Sequence, residues 1–284
     1  MASHLNKLKP KRKKNKSAPT KVSENLPFDK YELYNIAVQS PEGDVQFYVD
    51  RYKEIRNGHK PKILREDFCG GGALSCEWVK LNKQHRSCGL DLDPEPMDYG
   101  RQHYISKLNQ DQQRRVALIK KDVLSEGLPT ADIAVAVNFS YFCFKKREIL
   151  KKYFENVHHS LNHKGLFMLD IFGGTQCTEA VEDRTPLDGF TYYWDQKGFD
   201  PVTNEAKFDI HFRYKNKKYE SVFNYDWRMW SIPEVSEILR EVGFQDVRVF
   251  WEGSDRKGRG NGKFTEVKTG EACLSWIAYI IGVK

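Results

Sequence analysis

Between residues 62 and 171, short apolar runs alternate with longer amphipathic ones, and this alternation narrows the fold more than any other feature of the chain. Residues 62–64 read as a strand, 73–81 as a helix, 87–92 as a second strand and 95–108 as a second helix. Residues 116–120 and 131–137 follow as strands, the latter buried on both faces by its continuous apolar run. Residues 147–161 place Ile149, Leu150, Tyr153, Phe154, Val157 and Leu161 on one helical face, and 166–171 make a fifth strand. Strand and helix in such order imply a parallel sheet with right-handed crossovers and helices on both faces.

The flanks read differently. Residues 30–56 form two short amphipathic helices broken at Ser40-Pro41-Glu42-Gly43. After Gly174, at about 188–228, aromatic-rich alternating segments (TYYW, FDIHFRY, YESVFNYDW) predict a small inserted antiparallel sheet. A helix over 232–242 ends at Gly243, and a strand over 246–251 follows. A polar, glycine-rich loop at 253–263 precedes a last strand at 272–283, which makes seven strands in the main sheet.

Charge is unevenly placed. The whole chain carries +7, of which +8 lies in residues 1–21 with no acid among them, leaving −1 for the remaining 263. Residues 1–25 therefore predict a disordered basic tail. Such a run suits RNA, ribosome docking or nuclear import, or merely aids solubility. Six cysteines without a C-x-x-C pair argue against zinc and against a disulfide framework. No apolar run reaches the ~18–20 residues of a membrane span, and no secretory h-region follows the basic residues. A cytoplasmic setting fits, or a nuclear one if the tail is an import signal.

The chemistry concentrates at the end of the first strand, Glu66-Asp67-Phe68-Cys69-Gly70-Gly71-Gly72-Ala73. Consecutive glycines let backbone approach a ligand closely, and the following helix offers free N–H groups. Asp91, 19 residues past Gly72 at the end of the second strand, is placed to accept both hydroxyls of a ribose. A plain tight turn and a helix cap are the bland alternatives. A dinucleotide site calls for G-x-G-x-x-G, which is missing here.

At this point the chain resembles the class I S-adenosylmethionine-dependent methyltransferases, whose first motif is an acid followed by x-G-C-G-x-G, with Phe68 here in the first glycine's place. Gly89-Leu90-Asp91-Leu92 resembles the second motif, and Lys121-Asp122-Val123 the third, where an acid meets the adenine amino group. Asn138-Phe139-Ser140-Tyr141 follows the fourth strand at the mouth of the transfer site, and Leu161–Leu166 resembles the turn into strand five. The chain is also similar to bacterial-type methyltransferases carrying REDFCG and YDWR segments. The resemblance implies a Rossmann-like fold, with S-adenosylmethionine held by Glu66, Asp67, Phe68, Cys69, Gly70, Gly71, Asp91, Leu92, Asp122, Val123 and Asn138. Whether Glu66 or Asp67 faces the methionine amino group stays open. It further implies a lid over 26–60, through Tyr31, Tyr34 and Gln39, on a methyltransferase domain over 61–284.

The insertion is the candidate acceptor site through Trp194, Tyr225, Trp227 and Arg228, joined by Tyr34 from the N-terminal helices and Tyr141 after the fourth strand. These rings serve equally as the insertion's own core, and Tyr225-Asp226-Trp227-Arg228 either clamps substrate or forms a structural ion pair. No catalytic base and no metal site emerges; His211 is the one strand histidine to weigh. Methyl transfer to N or O of a small molecule is the reading that fits best. RNA or protein methylation through residues 1–21, an NAD-dependent oxidoreductase and a non-catalytic binding protein are its rivals.

Overall fold

The computed structural model describes residues 26–256 and 258–284, so the expectation for the basic tail, including RNA or protein docking through residues 1–21, lies outside the described residues. In chain order the elements are α1 (Lys30–Val38), α2 (Pro41–Ile55), β1 (Ile63–Asp67), α3 (Ala73–Leu81), β2 (Arg86–Asp91), α4 (Pro94–His103), α5 (Gln110–Gln113), β3 (Val116–Lys120) and β4 (Ala131–Ala136). They continue with α6 (Arg147–Ser160), β5 (Leu161–Gly173), β6 (Val181–Leu187), β7 (Phe190–Asp200), β8 (Glu205–Tyr214), β9 (Lys217–Arg228), α7 (Ile232–Glu241), β10 (Asp246–Ser254), β11 (Gly260–Val267) and β12 (Trp276–Val283).

The main sheet runs β11-β10-β12-β5-β4-β1-β2-β3. Strands β1 to β5 are parallel to their neighbours among themselves, and β12 lies antiparallel to both β5 and β10, so β10 runs with the parallel set. The expected Rossmann-like α/β architecture is present, with one strand more than the seven anticipated. The extra strand comes from the polar segment at 253–263, which folds back as an antiparallel partner of β10 instead of forming an irregular loop. Its short hairpin turn carries left-handed Gly258.

Period-two alternation divides the core between the two faces of the sheet. On β5, Phe167, Leu169 and Ile171 join α6 and α7 on one face. Leu166 and Met168 join α2 and α3 on the other. Helix α2 buries Val45, Tyr48 and Tyr52 and so belongs to this core, whereas α1 packs through Leu33 against the insertion. The insertion is wider than sequence suggested, a four-stranded sheet β6-β7-β8-β9 spanning 181–228. Its inner face carries Trp194, Phe208, Tyr225 and Trp227 against Phe139 and Phe172 of the main domain.

Helix α4 meets the glycine turn at bare backbone. A Cβ on Gly100 would stand 1.9 Å from the carbonyl oxygen of Gly71. No side-chain rotation relieves that clash, so Gly100→Ala is expected to destabilise the protein by roughly 2–3 kcal/mol, lowering its melting temperature by about 5–10 °C in a thermal melt.

Candidate active site

The site begins with how β1 is anchored. Arg65 is fully buried, and its guanidinium grips Asp67 through Nε–Oδ1 at 2.7 Å and Nη2–Oδ2 at 3.1 Å. The same guanidinium donates to the carbonyl of Pro129 and to Ser160 Oγ, and Tyr153 donates its hydroxyl to Asp67 at 2.8 Å. Glu66 points to the opposite face, where it accepts from the backbone N–H and the hydroxyl of Ser75 in the first turn of α3. The carboxylate thereby caps that helix. Burial pushes Glu66 up to about 7, partly offset by the two Ser75 donors.

The chain then turns at Phe68, whose φ of 59° is the left-handed geometry that glycine adopts without cost. Packing of its ring on Phe144 and Tyr153, at 5.7 and 5.5 Å, holds this glycine position with a phenylalanine. Asp91 fixes the next peptide, accepting from Gly70 N–H at 2.8 Å and from Asp93 N–H at 2.9 Å. Gly72 caps α3 with φ 71°, and a Cβ there would meet Leu118 at 2.4 Å.

These features floor a cleft of about 350 Å³ lined by Phe68, Cys69, Gly70, Gly71, Asp91 and Asn138. Its far wall is aromatic, from Tyr31, Tyr99 and Tyr104, and α1 roofs it. That roof is tied down by the Lys30–Glu95 ion pair at 2.7 Å and by Tyr31 against Tyr99 at 4.9 Å.

Two further cavities adjoin. One, about 200 Å³, is walled by Tyr34, Phe139, Tyr192, Trp194, Tyr225 and Trp227. The other, about 330 Å³, holds Asp44, Asp170 and Glu252 with Tyr192 and Tyr279. Asn138 lines all three spaces. It and Phe139 both adopt left-handed φ, near 57°, and their N–H groups donate to the two oxygens of buried Asp170 at 2.7 and 2.9 Å. Burial raises Asp170 to about 7 despite these donors.

Several residues anticipated from sequence lie away from these cavities. Asp67 and Glu66 are engaged as described, and neither lines the cleft. Leu92 is 60% exposed, Asp122 turns its carboxylate to its own Leu124 N–H, and Val123 is buried in the core. Tyr141 faces the core between Phe142 and Phe154, because the turn at 138–139 rotates it inward. Arg228 joins β9 to α7, bonding Glu234 and the Lys145 carbonyl and stacking on Trp230 at 3.9 Å. It is the ion-pair alternative that the geometry matches. His211 sits on the outer face of the insertion. Its Nδ1 accepts from Ser221 N–H, so Nε2 keeps the proton and points it to Asp195. The grouping of Glu182, Asp195 and His211 thus offers no imidazole lone pair to a metal. Sequence reading missed Asp44 and Asp170, which stand in ordinary helix and strand contexts, and Gly100.

No protein-family model matches the chain, and no curated protein matches it. Solved structures do. An S-adenosylmethionine-dependent methyltransferase from Clostridium acetobutylicum superposes with a TM-score of 0.64 at 17% identity, over 89% of this chain and 96% of its own. The amino pentose methyltransferase CalS10 from Micromonospora echinaspora gives 0.61 at 15%, over 90% and 98%. The fold is that of the S-adenosylmethionine-dependent methyltransferases. The sugar N-methyltransferase KedS8 from Streptoalloteichus shares it as well, at 0.60 and 14% identity over 94% and 98%. Among the described residues, no helix is long and apolar enough to cross a membrane.

The raised pKa of Glu66 has a stability consequence. The folded form holds its proton more tightly than the unfolded chain, so this contribution is complete below the unfolded value near 4.5 and is lost as pH rises through about 7. Glu66→Gln keeps an acceptor for Ser75 without a charge. Its stability relative to the parent is expected to improve by on the order of 1 kcal/mol between pH 6 and pH 8, measured by urea denaturation at both.

Proposed function

We propose that the protein transfers a methyl group from S-adenosylmethionine to a nitrogen or oxygen acceptor on a small molecule. The observation that carries this reading is the meeting of the glycine-floored cleft and the aromatic cavity at Asn138. A donor in one and an acceptor in the other would meet at Asn138, Tyr34 and Tyr225, the residues that the two spaces share.

The residues present fit the cofactor. Gly70 and Gly71 leave a floor without side chains, and Asp91, while holding the turn, keeps lone pairs for a ribose diol. The tyrosines of the far wall suit a planar base. Leu92, Asp122 and Val123 line none of this cleft, so in this reading the base is held by the tyrosines and not by them. Glu66 and Asp67 act one step back, fixing the turn through Ser75 and Arg65. When bound, the sulfonium supplies a methyl group that is already activated. The chain therefore contributes mainly alignment and exclusion of water. Tyr34 and Tyr225 stand at the boundary of both spaces, where they can orient an acceptor. Trp194 and Trp227 would hold the acceptor's apolar part.

The lid role belongs to α1 alone, since α2 is built into the core. Helix α1 meets α4 through the Lys30–Glu95 ion pair and the Tyr31–Tyr99 ring pair, and meets the insertion through Leu33 and the Tyr34–Phe223 ring pair, so it roofs the cleft as part of the insertion's packing. Small-molecule acceptors are favoured by the size of the aromatic cavity, about 200 Å³, which RNA could enter only through an extruded base.

Calorimetry separates the rivals. S-adenosylhomocysteine is expected to bind and NADH not to, with Asp91→Ala weakening the former by at least about tenfold. Tight binding of NADH alone overturns the reading. Transfer of labelled methyl groups in fractionated cell extract should label the small-molecule fraction, not RNA or protein.

A further inference from the structure

The two cavities beside the cofactor cleft have a charge pattern of their own. The aromatic cavity presents the faces and edges of Tyr34, Tyr192, Trp194, Tyr225 and Trp227. The adjoining one, which shares Val38, Asn138, Phe139, Tyr192 and Ile277 with it, contains Asp44, Asp170 and Glu252. No Lys, Arg or His lines either space among the described residues. Nor does any of the three acids pair with a cationic side chain among those residues. Asp44 has the Tyr279 hydroxyl at 3.5 Å, Glu252 accepts from Gly262 N–H at 2.9 Å, and Asp170 has the two peptide donors of Asn138 and Phe139.

Carboxylates taken out of water without a counter-charge are costly, and a cation is what such a space stabilises. The aromatic walls add to the same preference, because a ring face attracts a cation, the more so once both are out of water. Consistent with the enclosure, burial pushes Asp44 up to about 6, and Asp44 in turn raises Asp170 by like-charge repulsion. Acids alone would be an ordinary solvated cluster. Here they line a cavity that shares Asn138, Phe139 and Tyr192 with the aromatic one, beside the proposed transfer point.

Building on the methyltransferase reading, we propose that this chamber selects acceptors bearing a protonated amine, with the ammonium near Asn138 between the carboxylates and the rings; an amine that is itself methylated first gives its proton to one of these carboxylates, since an ammonium nitrogen has no lone pair. The neutral and anionic counterparts of such a molecule are disfavoured. An alcohol leaves the acids unpaired, and a carboxylate is repelled by all three.

The test uses three probes of one shape, 2-phenylethylamine, 2-phenylethanol and 3-phenylpropionate, titrated by ligand-observed NMR with and without S-adenosylhomocysteine. The amine is expected to bind at least tenfold more tightly than the alcohol, and the propionate not to bind. In the double variant Asp44→Asn, Glu252→Gln the amine should weaken at least fivefold while the alcohol is unchanged. A thermal melt checks folding, and Glu252→Gln alone replaces the double variant if that fails to fold. Equal affinity for amine and alcohol, or an amine preference that survives in the variant, overturns the proposal. Failure of S-adenosylhomocysteine to bind would instead overturn the methyltransferase reading, and the amine preference would still be read from the cofactor-free titration.

Discussion

The buried pair between Arg65 and Asp67 is the constraint on which the site rests. Both side chains are inaccessible, and two parallel N–H···O bonds fix their relative geometry. Breaking such a pair by removing one partner costs about 3–5 kcal/mol, because the other charge stays buried. The remaining guanidinium hydrogens reach the approach to β4 and the end of α6, so β1 is fastened to the elements beside and above it. On the other face Glu66 fastens the same strand to α3. The glycine turn therefore leaves β1 from a point held on both sides.

A second fastening works in parallel on β4 and β5. Asn138 and Phe139 sit in left-handed backbone conformations that cost of order 1 kcal/mol each, and the two oxygens of Asp170 offset this by taking both N–H groups. The result places Asn138 at the meeting point of three cavities and turns Tyr141 into the core. Strain and burial thus sit where the glycine-floored cleft and the aromatic cavity join. The insertion completes the chamber, since the inner face of β7 to β9 packs its rings against Phe139 and Phe172 while charged and polar groups occupy the outer face.

Much of this was legible from local pattern. The alternation of apolar runs located β1 to β5 and their helices within a few residues, and the turn at Cys69–Gly72 followed by Asp91 marked the cleft. The hairpin of β10 and β11 was not legible, because its strand at 260–267 is polar and largely exposed and so lacks the apolar period. Gly100 gave no signal either, since its requirement comes from a carbonyl 29 residues earlier in the chain. The roles of Glu66 and Asp67 could not be separated by sequence. Adjacent strand residues point to opposite faces, and which face holds Ser75 or Arg65's fork is a matter of packing.

What the sequence determined by itself is the alternation of β1 to β5 with their helices, the parallel sheet and the position of the glycine turn, because these follow from periodicity and from backbone that only particular residues tolerate. Tertiary structure alone decided which acids support the turn and which face a cavity. It also decided that Tyr141 packs between Phe142 and Phe154, that Arg228 pairs with Glu234, and that Asp44, Asp170 and Glu252 share a space with Tyr192. Those outcomes depend on contacts between residues far apart in the chain, where a side chain's partner is set by the packing of sheets and helices and not by its neighbours in sequence.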